Sequence, residues 1–330
     1  MTERLNSRIA AAFGVTHTPG LGNQMDRPDP AQIDRILEGF QVVRQQLADA
    51  KPDVMIAFVN DHFDMFTMRN MPAFAIGVGH THWGPTPETQ GWIQMERGTV
   101  PGHAAVATAI YESLMEQGIE LLRFEEAEFV HNVLLPKKFC WPDLNIPVVP
   151  IFVNCFMPPL PTWRRAYELG LAVRSVIDAR PERVALMASG GISHWPPITT
   201  SGMAADDPLL PRLRQFHRLG RETWQVDPTL PLALLEREKE MSASGRPLIN
   251  VDWDMDMLAR LAAGDVEYLT RLRTDDVIAQ AGAGGPEMML WVALMGAMRG
   301  AKSDIVLYEA VTEWMGGVGL ISYDRSLRGG

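Results

Sequence analysis

The stretch Val54-Met55-Ile56-Ala57-Phe58-Val59-Asn60-Asp61-His62 decides the fold. Six apolar residues in an unbroken run, closed by the turn formers Asn60 and Asp61, predict a continuous apolar strand that stops at a histidine. Upstream, Ile33, Ile36, Leu37, Phe40, Val43 and Leu47 recur at helical spacing from Pro30 onwards. Before that helix, Ile9 to Val15 is a short β-like run that ends in Thr16-His17-Thr18-Pro19-Gly20-Leu21-Gly22. Strand, helix and strand make one βαβ-like unit, which would present His17 and His62 at the same ends of neighbouring strands.

Downstream, residues 78–102 are rich in Gly, Pro, Thr, His and Trp without periodicity, which predicts a long functional loop. A helix is expected from about His103 to Gln117, then strands at Ile119–Phe124, Val148–Val153 and Val184–Ala188, with a helix at Trp163–Ile177 between the last two. This alternation predicts a layered α/β sheet with helices outside. The last strand empties into Ser189-Gly190-Gly191-Ile192-Ser193-His194, where paired glycines let the backbone turn sharply. Beyond it the chain reads as largely helical: 207–221, 228–242, 253–263, then Pro286 to Arg299 after the Gly-rich Ala281 to Gly285. There is no internal repeat, low-complexity tract or charged linker.

Composition narrows the class. With 330 residues, 30 Lys+Arg and 40 Asp+Glu, the net charge is −10, which makes nucleic-acid binding a poor reading. A hydrophobic share of 46 % with 21 % charged residues is that of a globular chain, not of a disordered or collagenous one. The length allows roughly two domains or one large α/β unit. Cys140 and Cys155 show no CxxC spacing, so a reduced cytosol is expected. The N-terminus carries Glu3 and too little apolar length for a signal peptide. The longest apolar run, Met288 to Met298, is about half the ~20 residues a membrane span needs. A cytoplasmic protein is the expectation.

The chemistry-bearing residues are histidines. Eight occur, at positions 17, 62, 80, 82, 103, 131, 194 and 217, and His17, His62, His131 and His194 sit beside strand ends or in turn-rich loops. Two neutral imidazoles and one carboxylate suit a non-haem Fe(II) centre, and His17 and His62 are the natural pair. Asp61, Asp252, Asp254 and Glu287 all stand near turns as candidates for the carboxylate. Glu287 has the best physical case, because it opens an unusually apolar helix after Gly284-Gly285-Pro286; there it either caps the helix or meets a cation. Asp61 reads as closing its turn. Met288, Met289, Met295 and Met298 at helical spacing read as core filling. His80 and His82 with Trp83 lie in the long loop, where contact with substrate is the alternative and a surface loop with incidental histidines the preferred reading. No GxGxxG, Walker loop or GxSxG is present.

Taken in order, Thr16-His17-Thr18-Pro19-Gly20-Leu21-Gly22, Val59-Asn60-Asp61-His62, Ser189-Gly190-Gly191-Ile192-Ser193-His194 and Gly284-Gly285-Pro286-Glu287 resemble the class III extradiol ring-cleaving dioxygenases. The likeness is strongest to the catalytic β subunit of protocatechuate 4,5-dioxygenase and to the gallate and 3-O-methylgallate enzymes. It runs from about residue 9 to about 322 and takes in Pro72-Ala-Phe-Ala-Ile-Gly77, Asn250-Val-Asp-Trp-Asp254 and Leu290-Trp-Val-Ala-Leu-Met-Gly-Ala-Met298.

The resemblance implies a layered α/β/α sheet forming one catalytic domain over residues 1–330. It implies that His17, His62 and Glu287 hold Fe(II), that His194 is the acid/base residue beside the substrate, and that His131 is a second active-site histidine. The substrates it implies are O2 and a catechol-type aromatic acid such as protocatechuate, gallate or 3-O-methylgallate, cleaved beside the two hydroxyls. It further implies a homodimer or homo-oligomer. The chain ends before the segment that gallate enzymes fuse, so it is expected to act alone or with a small separate cap subunit. Two rival chemistries share the metal triad: 2-aminophenol cleavage and zinc-dependent hydrolysis.

Overall fold

The computed structural model describes residues 8–200 and 202–323; Glu3 lies outside them. In chain order the strands are β1 (Ile9–Val15), β2 (Val54–Val59), β3 (Phe74–Gly77), β4 (Thr81–Gly84), β5 (Gly98–Pro101), β6 (Leu122–Phe124), β7 (Val148–Val153), β8 (Val184–Ser189), β9 (Asp304–Val311) and β10 (Gly316–Ser322). Among the described residues eight of them form one sheet in the order β6-β3-β7-β2-β8-β1-β10-β9, while β4 and β5 make a separate hairpin. The centre, β7-β2-β8-β1, is parallel; β3 runs antiparallel to β7, and β10 antiparallel to both β1 and β9.

The unbroken apolar run of β2 has a direct cause. Val54, Ile56 and Phe58 enter one hydrophobic cluster, and Met55, Ala57 and Val59 enter another on the opposite face. A strand covered on both sides has no solvent face on which to place polar residues. Helix Pro30–Ala50 supplies one cover through Ile33, Ile36, Phe40, Val43 and Leu47. It starts on Pro30, with the Asp29 side chain accepting from Ala31 N–H. The other cover is built from helices Ala104–Glu116, Trp163–Asp178 and Met288–Ala297. The result is the expected layered α/β arrangement.

Met288–Ala297 is buried at every residue, as befits a helix apolar on all sides. It crosses Trp163–Asp178 at a contact of two glycines, where a Cβ on Gly170 would fall on Ala293 O and one on Gly296 on Tyr167 O. The backbones meet directly, and the methionines fill the remaining core.

Several expectations change. The run Ile119–Phe124 is strand only from Leu122, because the preceding helix unwinds through Gly118 at φ +76. Residues 78–102 hold the β4–β5 hairpin and a short helix, Gln90–Ile93. The C-terminal part is not helical throughout: β9 and β10 complete the sheet beside β1. Cys140 and Cys155 are both free and buried. No helix among the described residues is long and apolar enough to cross a membrane.

Candidate active site

The carboxyl ends of the parallel strands converge. Register pairs Val15 with Ser189 and Phe58 with Ala188, so β1, β2 and β8 end side by side. Two residues past β1 stands His17, three past β2 stands His62, and five past β8 stands His194. This edge of an α/β sheet is where loops open and ligands bind. His131 joins them from the first turn of helix His131–Cys140. Ring centroids lie 5.3 Å apart for His17 and His62, 5.0 Å for His17 and His131, and 4.2 Å for His62 and His131.

Glu287 enters from the far end of the chain on the turn Gly285–Glu287 that leads into helix Met288–Ala297. Its side chain does not cap that helix. Instead Oε2 accepts the Gly191 backbone N–H and lies 3.2 Å from His17 Nε2. Oε1 faces His62 Nε2 at 3.7 Å and His194 Nε2 at 3.5 Å, yet it is buried without a hydrogen bond. A carboxylate with no solvent exposure and an unpartnered oxygen is costly unless a cation completes it.

The electrostatics agree with that geometry. Burial alone would raise the Glu287 carboxyl, but the imidazoles of His17, His194 and His62 outweigh it and hold the group well below the usual carboxylate range. Burial lowers His62 and lowers His131 strongly, so both favour the neutral form that can act as a ligand. At His194 burial also lowers, but the hydrogen-bonding and charge of Glu287 prevail and the imidazole sits above its ordinary value.

Supporting contacts fix each ring. Ser189 Oγ lies 2.9 Å from His17 Nδ1, which aims Nε2 at Glu287. Nδ1 of His194 lies 2.9 Å from Ile192 O, leaving Nε2 towards the cavity. The His194 ring is seated between Gly191 and Gly284, where a Cβ on either glycine would strike the imidazole. Asp254 steadies this loop: it accepts from Ser193 N–H at 2.8 Å and from Tyr308 O–H at 2.7 Å, and burial pushes its carboxyl up to about 6.

Of the candidate residues, His17, His62, His131, His194 and Glu287 come together. Asp61 closes its turn by accepting from Met65 and Phe66 N–H, Asp254 acts on the Ser193 loop, and Asp252 is exposed. His82 does not face a substrate: it is fully buried, with Nδ1 accepting from Ala127 N–H and Nε2 3.1 Å from Val148 O. His103 caps the helix that follows it, and His217 Nε2 bonds to Ile198 O. Sequence reading missed Ser189 as a partner of His17, and it missed Trp92, Phe156, Phe216 and Trp224 on the walls of the cavity. That cavity, about 580 Å³, opens over the cluster. Ligating nitrogens of His17, His62 and His131 lie within 4.8 Å of one another, so the floor has the donors for a metal ion.

Comparison with known proteins places the chain in a family. The profile described as the catalytic LigB subunit of aromatic ring-opening dioxygenase matches residues 11–320, and the chain belongs to that family, the class III extradiol dioxygenases. It is therefore an enzyme, an oxidoreductase that opens aromatic rings. Among curated proteins it is similar to the 2,3-dihydroxyphenylpropionate/2,3-dihydroxicinnamic acid 1,2-dioxygenase of Photorhabdus laumondii, 29% identical over 316 residues that cover 93% of this chain and 95% of the relative. An enzyme of that name from Klebsiella pneumoniae is 28% identical over 315 residues, 93% of this chain and 96% of the relative. One from Dechloromonas aromatica is 29% identical over 320 residues, with the same coverage.

Proposed function

We propose that the chain opens a catechol-type ring beside its two hydroxyls, using Fe(II) held by His17, His62 and Glu287, with His194 and His131 acting on the substrate. The observation that carries this reading is the buried, unpartnered Oε1 of Glu287, which faces Nε2 of His62 and His194 while Oε2 lies against Nε2 of His17. The donor set is two nitrogens and one carboxylate, which suits ferrous iron with open positions. When bound, the iron supplies a path for electron density between a chelated diol and dioxygen.

The protein's own groups do the rest. His194, anchored through Nδ1, turns Nε2 towards the cavity, where in its neutral form it accepts a proton from a substrate hydroxyl and returns it as the ring opens. His131 stays neutral by burial and offers a hydrogen bond to the diol without adding charge. The buried floor and the aromatic walls exclude water from the reacting oxygens.

The motifs imply protocatechuate, gallate or 3-O-methylgallate as substrates, and the relatives' names put dihydroxyphenylpropionate beside them. Family membership removes the ground for a zinc hydrolase; 2-aminophenol is an arm of the substrate test. The two free, buried cysteines fit a reducing cytoplasm, and the continuous sheet fits one catalytic unit. The test is oxygen uptake by iron-loaded, reduced protein given catechol, the acids named and 2-aminophenol, with the ring-opened product followed by its visible absorption. Absence of oxygen uptake with every substrate would end the proposal.

A further inference from the structure

We infer that the diol this site accepts carries an uncharged, apolar ring substituent in place of a carboxylate. The inference rests on the ring-cleavage reading and refines its substrate class.

The cavity has a direction. His17 and Glu287 form a buried floor, while Glu88 and Leu235 lie exposed at the opposite end. A ring whose hydroxyls meet the floor therefore points its substituent towards that mouth. The walls it passes are apolar: Phe156, Phe216, Trp224 and Leu234 line them. The ionisable groups there are acidic, namely Asp64, Glu88 and Glu238. Among the described residues no lysine or arginine lines this cavity, and its only basic side chains are the four imidazoles around Glu287.

Neighbouring cations stand outside the lining: Arg27 acts on Glu238, and two others are engaged elsewhere. Arg221 is bonded to Glu128 and lies 3.9 Å from Glu88. Arg237 pairs with Asp207 at 2.9 Å and with Glu240 at 3.4 Å, and it borders a different surface cavity. Hydroxyl donors are likewise committed: Thr18 Oγ1 donates to Gly317 O, and the Ser193 hydroxyl bonds the Asp254 carboxyl. A carboxylate entering here would lose its hydration, gain no counter-charge and face three acids. An alkyl or aryl substituent meets none of these costs.

The experiment compares shape-matched pairs on iron-loaded protein: 3-propylcatechol against 2,3-dihydroxyphenylpropionate, and 4-methylcatechol against protocatechuate, with unsubstituted catechol as reference. Binding of each diol under argon is read in parallel from tryptophan fluorescence. We expect kcat/KM and affinity to favour the neutral member of each pair by at least about tenfold, the cost of ~1.4 kcal/mol or more for an uncompensated charge. Equal or better use of the carboxylates overturns the inference while leaving ring cleavage standing. Consumption of no diol, catechol included, sinks both. Glu238→Lys, on a partly exposed helix, is expected to raise carboxylate turnover relative to its neutral partner; an unchanged ratio counts against the wall charges as the cause.

Discussion

Ser189 Oγ stands 2.9 Å from Nδ1 of His17, so the last residue of β8 orients the histidine that follows β1. A ligand that binds through Nε2 must carry its proton on Nδ1, and the hydroxyl is placed to accept it. Ser189→Ala is expected to weaken metal binding about 10–100-fold while the fold is retained. Titration of the apo protein with Fe(II) under argon checks this, and an unchanged affinity would show that the contact orients nothing.

Metal content separates ligands from acid/base groups. Glu287→Ala and His17→Ala are expected to lose iron, whereas His194→Ala keeps it and loses turnover by about 10²–10⁴-fold. Equal iron in all three variants would remove the assignment.

The glycine seat of His194 gives a second handle. In Gly284→Ala the new methyl would fall on the imidazole, so the ring must move. Iron binding is expected to survive, and kcat to drop by about 10²-fold, since small misplacements of catalytic groups are costly. A variant with normal kcat would show that the ring position is not critical.

Acid stability depends in part on His82. Burial pushes its pKa down to about 4, so the folded protein keeps it neutral where the unfolded chain, near 6.5, takes a proton. Its contribution is fully present above pH 6.5 and is lost as pH falls towards 4, amounting to about 3 kcal/mol. His82→Gln cannot titrate, and its urea-unfolding free energy is expected to fall less steeply over this window. Parallel curves for the two proteins would assign the acid loss elsewhere.

The helix crossing at Gly170 and Gly296 leaves no room for a methyl group. Gly170→Ala is expected to destabilise the protein by about 1–3 kcal/mol through overpacking, read as a lower thermal midpoint.

How far the sequence reveals this molecule depends on the local signal at each element. β1, β2, β7 and β8 are legible because each is an apolar run stopped by turn formers. β9 and β10 are not: β10 contains Gly316, Gly317 and Gly319, which erase both alternation and β-branched character, and its partner β1 lies some 300 residues away. In the site, His17, His62 and His194 advertise themselves by following strands. Glu287 was ambiguous on spacing, since capping and cation binding place an acid at the same helix end, and only contact with the distant Gly191 separates them. Ser189 and the aromatic walls carry no sequence mark at all, because their roles arise from tertiary neighbours.

The late entry of Glu287, after two of its partners lie within the first 62 residues, has a consequence for biosynthesis. A nascent chain can assemble most of the parallel centre early, yet the carboxylate proposed for the metal is still unmade, and one edge of β1 waits for β10. On the proposed ligand set, metal capture would wait until Glu287 has been made, and shorter nascent chains would hold no ferrous ion.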